Sequence, residues 1–266
     1  ERTMMISTNY PVLFPIIVMF YIFGIGLAQA KIVMFVFLCL FLHLAYKFVY
    51  KISQNKNIAM YSIALAVTFL PFYGNGLSGG LGEVPGLVYF LGALLLLDTD
   101  KKWKIFFGGI LLGLAASTKV FYLVLLGAVG VSEIYFAIIN KKVDWKRWGI
   151  MAFGVFGPLL IWLRTLLPQG LNLVNILQTF TYYKNPYHVE NTIMPNLLKF
   201  VTESTPMHFG ILAATLCVYF GLRVRNRLIS RQAVVIGLLV LLNFVWFLKT
   251  PGWYRYLFPA HLFVLI

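Results

Sequence analysis

The sequence predicts an all-α integral membrane protein, a polytopic helical bundle of about nine spans with external interfacial helices. Three observations lead there. Of 266 residues, 61% are hydrophobic and 11% charged, and the mean hydropathy is +0.85. An ordinary soluble domain is about 45–50% apolar and about 25% charged. Apolar runs of span length recur along the whole chain, and the basic residues gather in a few loops between them. The formal net charge of +14 therefore reads as loop lysine and arginine in a membrane chain, not as a nucleic-acid surface. Cys39 and Cys217 both lie in apolar runs, so neither a disulfide framework nor a metal knuckle is implied.

In chain order the predicted spans are 32–50, 57–73, 79–97, 105–118, 120–139, 148–166, 207–222, 232–248 and a last one from 256. Residues 1–266 are read as one transmembrane domain. Its opening, ERTMMISTNYP, has neither a basic start nor a short apolar run ending at small residues. The chain is therefore expected to begin inside a longer protein, and the span cut at Ile266 is expected to continue. Lys47, Lys51 and Lys56 follow the first span, and Lys101, Lys102 and Lys104 the third. Lys141, Lys142, Lys146 and Arg147 follow the fifth, and Arg223, Arg225, Arg227 and Arg231 the seventh. Two spans separate each basic loop from the next, so the parity is consistent and these loops are predicted to be cytoplasmic.

The opposite face then receives 74–82, the turn at Lys119, the external loop segment 167–206 and KTPGWYRY at 249–256. Segment 11–29, with Pro11, Pro15, Gly24 and Gly26, predicts an interfacial or broken helix rather than a clean span. The roughly 40 residues of 167–206 are too many for a structureless loop and predict a short surface helix. Phe180, Tyr182, Tyr183 and Tyr187 cluster there, as an interfacial aromatic belt would; stacking on a sugar is the other reading. His188 and Glu190 lack metal-ligand spacing and read as a solvated turn.

The stretch Gly74–Lys119 organises the rest. It runs GNGLSGGLGEVPGLVYFLGALLLL, turns at DTDKKWK and returns as IFFGGILLGLAASTK. Glu83 opens one apolar helix and Lys119 closes the next. Charges in such helices face a cavity or a partner, so both are expected at one aqueous cleft on the non-cytoplasmic side. An acid ahead of Pro85 is also ordinary helix-start chemistry; alternatively its carboxylate reaches an acceptor or a divalent metal. Lys119 lies about 21 Å along a run that begins at residue 105, short of a hydrocarbon core of about 30 Å. It either snorkels or meets an anion such as a lipid phosphate. Arg255 sits between Trp253, Tyr254 and Tyr256 at an external helix start, as an interfacial anchor or a bidentate phosphate ligand. Arg164 is a weaker candidate of the same kind. No phosphate loop, His-Glu-x-x-His, cysteine pair or Ser-His-Asp arrangement is present, and no cofactor is called for.

At these residues the chain resembles the GT-C glycosyltransferases, multi-span enzymes that use polyprenyl-phosphate sugars. It is most similar to the branch of protein mannosyltransferases, aminoarabinose transferases and lipopolysaccharide-sugar transferases. The matching pieces are NYPVLFPIIVMFYIFGIGLAQAK, LPFYGNGLSGGLGEVPGLVYFLGALLLL, GGILLGLAASTKVFYLVLL and YRYLFPAHLFVLI. They cover nearly the whole chain in order, each loosely. The resemblance implies a GT-C-like fold and inverting transfer of a sugar to a glycan, lipid or protein acceptor. Glu83 would be a second acid, with Lys119 and Arg255 on the donor phosphate and Arg164, Tyr254 and Tyr256 around the cleft. The family's principal acid, an Asp in the first external loop, has no counterpart here, and the chain is expected to begin just after it.

Two other functions fit the same basic vestibule. A transporter or flippase of lipid-linked saccharides would show an internal repeat, and none stands out. A ligase or polymerase of lipid-linked saccharides would rely on external Arg and His rather than on an acid at a helix start.

Overall fold

The computed structural model describes residues 9–68, 82–167, 170, 172–184, 192–202, 230–250 and 254–265. Among these residues the chain is helical, without strands. The helices are α1 (Tyr10–Phe23), α2 (Leu27–Ser53), α3 (Lys56–Thr68), α4 (Glu83–Leu97), α5 (Lys102–Thr118) and α6 (Leu123–Ile139). They continue as α7 (Trp145–Leu166), α8 (Leu173–Lys184), α9 (Ile193–Thr202), α10 (Arg231–Lys249) and α11 (Phe258–Leu265). Short 3-10 turns, Val120–Tyr122 and Tyr254–Leu257, lead into α6 and α11. Two compact units result: Glu1–Leu126 with Asp144–Asn175 and Leu265–Ile266, and Gly127–Val143 with Ile176–Val264.

Among the described residues, four helices are long and apolar enough to cross a bilayer: Leu27–Ser53, Val120–Ile139, Trp145–Leu166 and Arg231–Lys249. They coincide with predicted spans 32–50, 120–139, 148–166 and 232–248. Only 22–39% of their most apolar windows is buried, so their remaining apolar surface faces outward, as hydrocarbon favours and water does not. Predicted spans 79–97 and 105–118 become α4 and α5, of 15 and 17 residues. At about 22 Å, α4 is shorter than a hydrocarbon core of about 30 Å. Twelve of its residues are buried, as expected of a helix that is apolar all round. Span 57–73 is described only as α3, and span 207–222 lies outside the described residues, as do Cys217, Arg223, Arg225 and Arg227. Segment 167–206 carries two helices, α8 and α9, where one was expected.

Helix α5 packs on α7 through small residues. A Cβ on Gly109 would overlap the Met151 carbonyl, one on Gly154 would overlap the Phe106 carbonyl, and one on Gly113 would stand 2.7 Å from the Val155 oxygen. Gly109, Gly113 and Ser117 form a stripe at four-residue spacing, and such stripes let backbones touch. Ser117 Oγ donates to the carbonyls of Gly113 (2.7 Å) and Pro158 (3.4 Å), closing the stripe at its far end.

Charges tie one end of the first unit together. Lys51 pairs with Asp98 at 2.6 Å, which sets the ends of α2 and α4 side by side. Arg147, in the first turn of α7, donates to the Leu97 carbonyl (2.6 Å) and the Thr99 carbonyl (2.9 Å). It thereby satisfies carbonyls that the end of α4 leaves without partners. Asp144 caps α7 by accepting from the Arg147 N–H at 3.0 Å. Three of the four basic loops named from the sequence thus meet at one end. In the second unit Arg231 pairs with Glu133 at 3.2 Å and lies 5.3 Å from the Phe136 ring, so α10 starts beside the last turns of α6.

Helix α1 answers the ambiguity of segment 11–29. Its N-cap Asn9 donates its backbone N–H to the Thr118 carbonyl at 3.1 Å, at the end of α5 remote from the basic loops. Tyr10 donates to the Pro158 carbonyl (3.0 Å), and Tyr89 to the Pro11 carbonyl (2.9 Å). Gly24, at φ +83°, breaks the chain just before α2 starts. Because α2 then runs to the basic end, α1 begins and ends away from that end. Its 14 residues do not cross the unit. In the second unit, Phe247, Leu257 and Ala260 form a core with Phe200 and Phe244 packed against it. The Asn196 side-chain amide donates to the carbonyls of Phe247, Leu248 and Thr250 (2.6–3.2 Å), capping the end of α10.

Candidate functional site

Two short apolar helices, α4 and α5, place the candidate site. Gly82 turns the chain into α4, so Glu83 is its first residue. At the other terminus, α5 ends at Thr118 and Lys119 adopts an extended backbone before the 3-10 turn. The Glu83 carboxylate and the Lys119 ammonium form an ion pair. Glu83 is 1% exposed and Lys119 8%. Each charge also sits at the helix end whose dipole favours it, the acid at an N-terminus and the base at a C-terminus.

The surroundings hold the pair in place. Tyr122 donates its hydroxyl hydrogen to the Glu83 carbonyl at 2.6 Å. The ring reaches that carbonyl because residue 86 is glycine: a Cβ there would overlap both the Tyr122 ring and the Thr118 hydroxyl. Lys119 Nζ lies 5.8 Å from the centre of the Phe121 ring, within cation–π range. Thr118, buried, donates its hydroxyl to the Ala115 carbonyl at 2.7 Å. The Asn9 bonds to Thr118 bring the start of α1 to the same place.

One polar atom in this region stands out. Glu83 Oε2 is buried and has no hydrogen-bond partner among the described residues. A buried, unmade hydrogen bond costs about 1–3 kcal/mol, more for a charged group. The arrangement thus consists of a neutralised acid–base pair with one acceptor oxygen in reserve.

Sequence reasoning expected Glu83 and Lys119 to line one aqueous cleft. The structure brings the two together but encloses them, so the charges neutralise each other instead of facing water. Arg164 is exposed in the last turn of α7 and donates to the Leu167 carbonyl at 3.2 Å, capping its own helix. It lies at the same end of the first unit as the pair. Tyr254, Arg255 and Tyr256 fall on the 3-10 turn Tyr254–Leu257 of the second unit, with Tyr256 half-buried. The Tyr254 and Arg255 side chains lie outside the described part, as do those of Phe180, Tyr182 and Tyr183 and the whole of Tyr187, His188, Glu190 and the turn 74–81.

Asn9, Tyr122 and Gly86 were not singled out from the sequence. Gly86 carried a signal, being a glycine one turn inside an otherwise strongly apolar helix. No group of three or more His, Cys, Asp or Glu side chains gathers among the described residues. Compared with family models, curated proteins and solved structures, the chain matches none.

Proposed function

We propose that this chain belongs to a membrane glycosyltransferase of GT-C type that moves one sugar from a polyprenyl-phosphate donor to a glycan, lipid or protein acceptor. In this reading the chain is multi-pass in the plasma membrane, with about nine spans and the basic end cytoplasmic. The Glu83–Lys119 end then faces the extracytoplasmic side. The supporting observation is the unsatisfied Glu83 oxygen beside a lysine at the end of a buried helix hairpin. A hydroxyl donor is what that oxygen lacks, and a phosphate is the anion that would draw Lys119 away from it.

The reaction is a direct displacement. The acceptor hydroxyl oxygen bonds the anomeric carbon while the bond from that carbon to the donor phosphate oxygen breaks. The hydroxyl proton passes to Glu83. The departing phosphate keeps the electron pair and is stabilised by Lys119. When Lys119 turns to the phosphate, Glu83 loses its counter-charge and becomes a better proton acceptor. Substitution of Glu83, Lys119 and Arg255 in the full-length protein, assayed for turnover of lipid-linked sugar, tests the assignment. Wild-type turnover in all three variants removes it.

A further inference from the structure

A second feature lies at the basic end of the first unit, remote from the ion pair. Between α5 and α7 runs an open groove of about 500 Å³. Its floor is aromatic, with the rings of Phe106 and Phe153 stacked at 5.9 Å. Trp103 and Ile150 complete the wall, and Gly149 leaves it open, since a Cβ there would meet nothing within 4 Å. The groove covers about one turn of each helix near its start, from Lys102 to Phe106 and from Gly149 to Phe153.

Its rim is cationic. Lys102 lines the groove and stands against Lys146 of the facing helix. Lys102 is held below the ordinary lysine value by the Lys146 side chain beside it and by that group's positive charge. Lys104 lies 5.5 Å from the centre of the Trp103 ring. The nearby acids do not answer these lysines. Asp98 is paired with Lys51 and Asp144 caps α7, while Asp100 is exposed on the turn before α5. Among the described residues, neither of these adjoining ammonium groups forms an ion pair with an acid at the mouth of the apolar slot.

We propose that this groove binds one anionic phospholipid, with an acyl chain lying along Phe106, Ile150 and Phe153 and the head-group phosphate bridging Lys102 and Lys146. An acyl chain matches the slot in polarity, and a phosphate between two lysines removes their repulsion. Basic pockets between membrane helices take anionic head groups on the same logic. The groove is independent of the catalytic reading, because none of its residues belongs to the Glu83–Lys119 end.

The test is native mass spectrometry of the full-length protein released from vesicles of equal phosphatidylglycerol and phosphatidylcholine. The wild type is expected to retain phosphatidylglycerol in preference. Each lysine near an anionic lipid surface is worth roughly a fivefold change in binding. Lys102→Gln and Lys146→Gln should therefore each weaken retention roughly fivefold, and Gly149→Leu, whose Cβ meets no atom within 4 Å and whose side chain occupies the slot, should weaken it too. Lys56→Gln, an exposed lysine outside the groove, should leave retention unchanged. Equal retention of the two lipids by the wild type overturns the proposal. Full retention in Gly149→Leu also overturns it, as does a loss in Lys56→Gln matching that of the groove lysines, which would mean diffuse surface attraction.

Discussion

Tyr122 donates its hydroxyl hydrogen to the Glu83 backbone carbonyl at 2.6 Å, passing over the face of α4 that Gly86 leaves bare. The bond fixes the first turn of α4 against the start of the next span, and so fixes where the Glu83 carboxylate stands. Gly86→Ala should displace the Tyr122 ring and cost about 1–3 kcal/mol, the usual range for overpacking. Tyr122→Phe should cost about 1 kcal/mol, since it removes one hydrogen bond and keeps the ring. Thermal unfolding in detergent reads both, and a Gly86→Ala variant as stable as the wild type would mean that the ring does not sit there.

The Glu83–Lys119 pair is buried on both sides, so removing one partner strands the other. Glu83→Gln or Lys119→Met should each destabilise by about 3–5 kcal/mol, whereas replacing both should recover much of that loss. A double-mutant cycle on unfolding free energy measures the coupling. Additive losses would show that the two charges do not meet.

The contact of α5 with α7 predicts a contrast among glycines. Gly109→Leu and Gly154→Leu drive a side chain into the facing backbone and should abolish a monodisperse, folded protein on size-exclusion chromatography. Gly130→Leu and Gly157→Leu add a side chain where no atom lies within 4 Å of the new Cβ, and should be tolerated.

The large features were legible because bilayer physics writes them into the sequence. Span length set the four long helices, and the lysine loops grouped Lys51, Lys102 and Arg147 as they group in space. That Glu83 and Lys119 share one place followed from the cost of lone charges in apolar helices, although the expectation was a shared aqueous cleft and not an ion pair. Its burial did not follow, because the sequence gives no measure of how closely α4, α5 and α1 approach. Arg147 was counted as one more loop cation; its role in capping α4 depends on a contact across some 50 residues of sequence. The glycine stripe of α5 entered only as part of a matching piece, although the spacing from Gly109 through Gly113 to Ser117 already carried the small-residue pattern.

Orientation can be checked independently of chemistry. With Cys39 and Cys217 replaced, Lys142→Cys should react with an impermeant thiol reagent from the cytoplasmic side alone. Asn172→Cys, exposed just before α8, should react from the other side. The reverse pattern would place the Glu83 end in the cytoplasm and remove the extracytoplasmic site.

The most direct test is the rate of sugar transfer from a polyprenyl-phosphate donor by the full-length protein carrying Glu83→Gln, assayed below its melting temperature. Loss of a general base predicts a fall in kcat of about 10²–10⁴-fold with the variant still folded. Undiminished kcat in a folded Glu83→Gln variant would contradict the account and leave the ion pair a purely structural link.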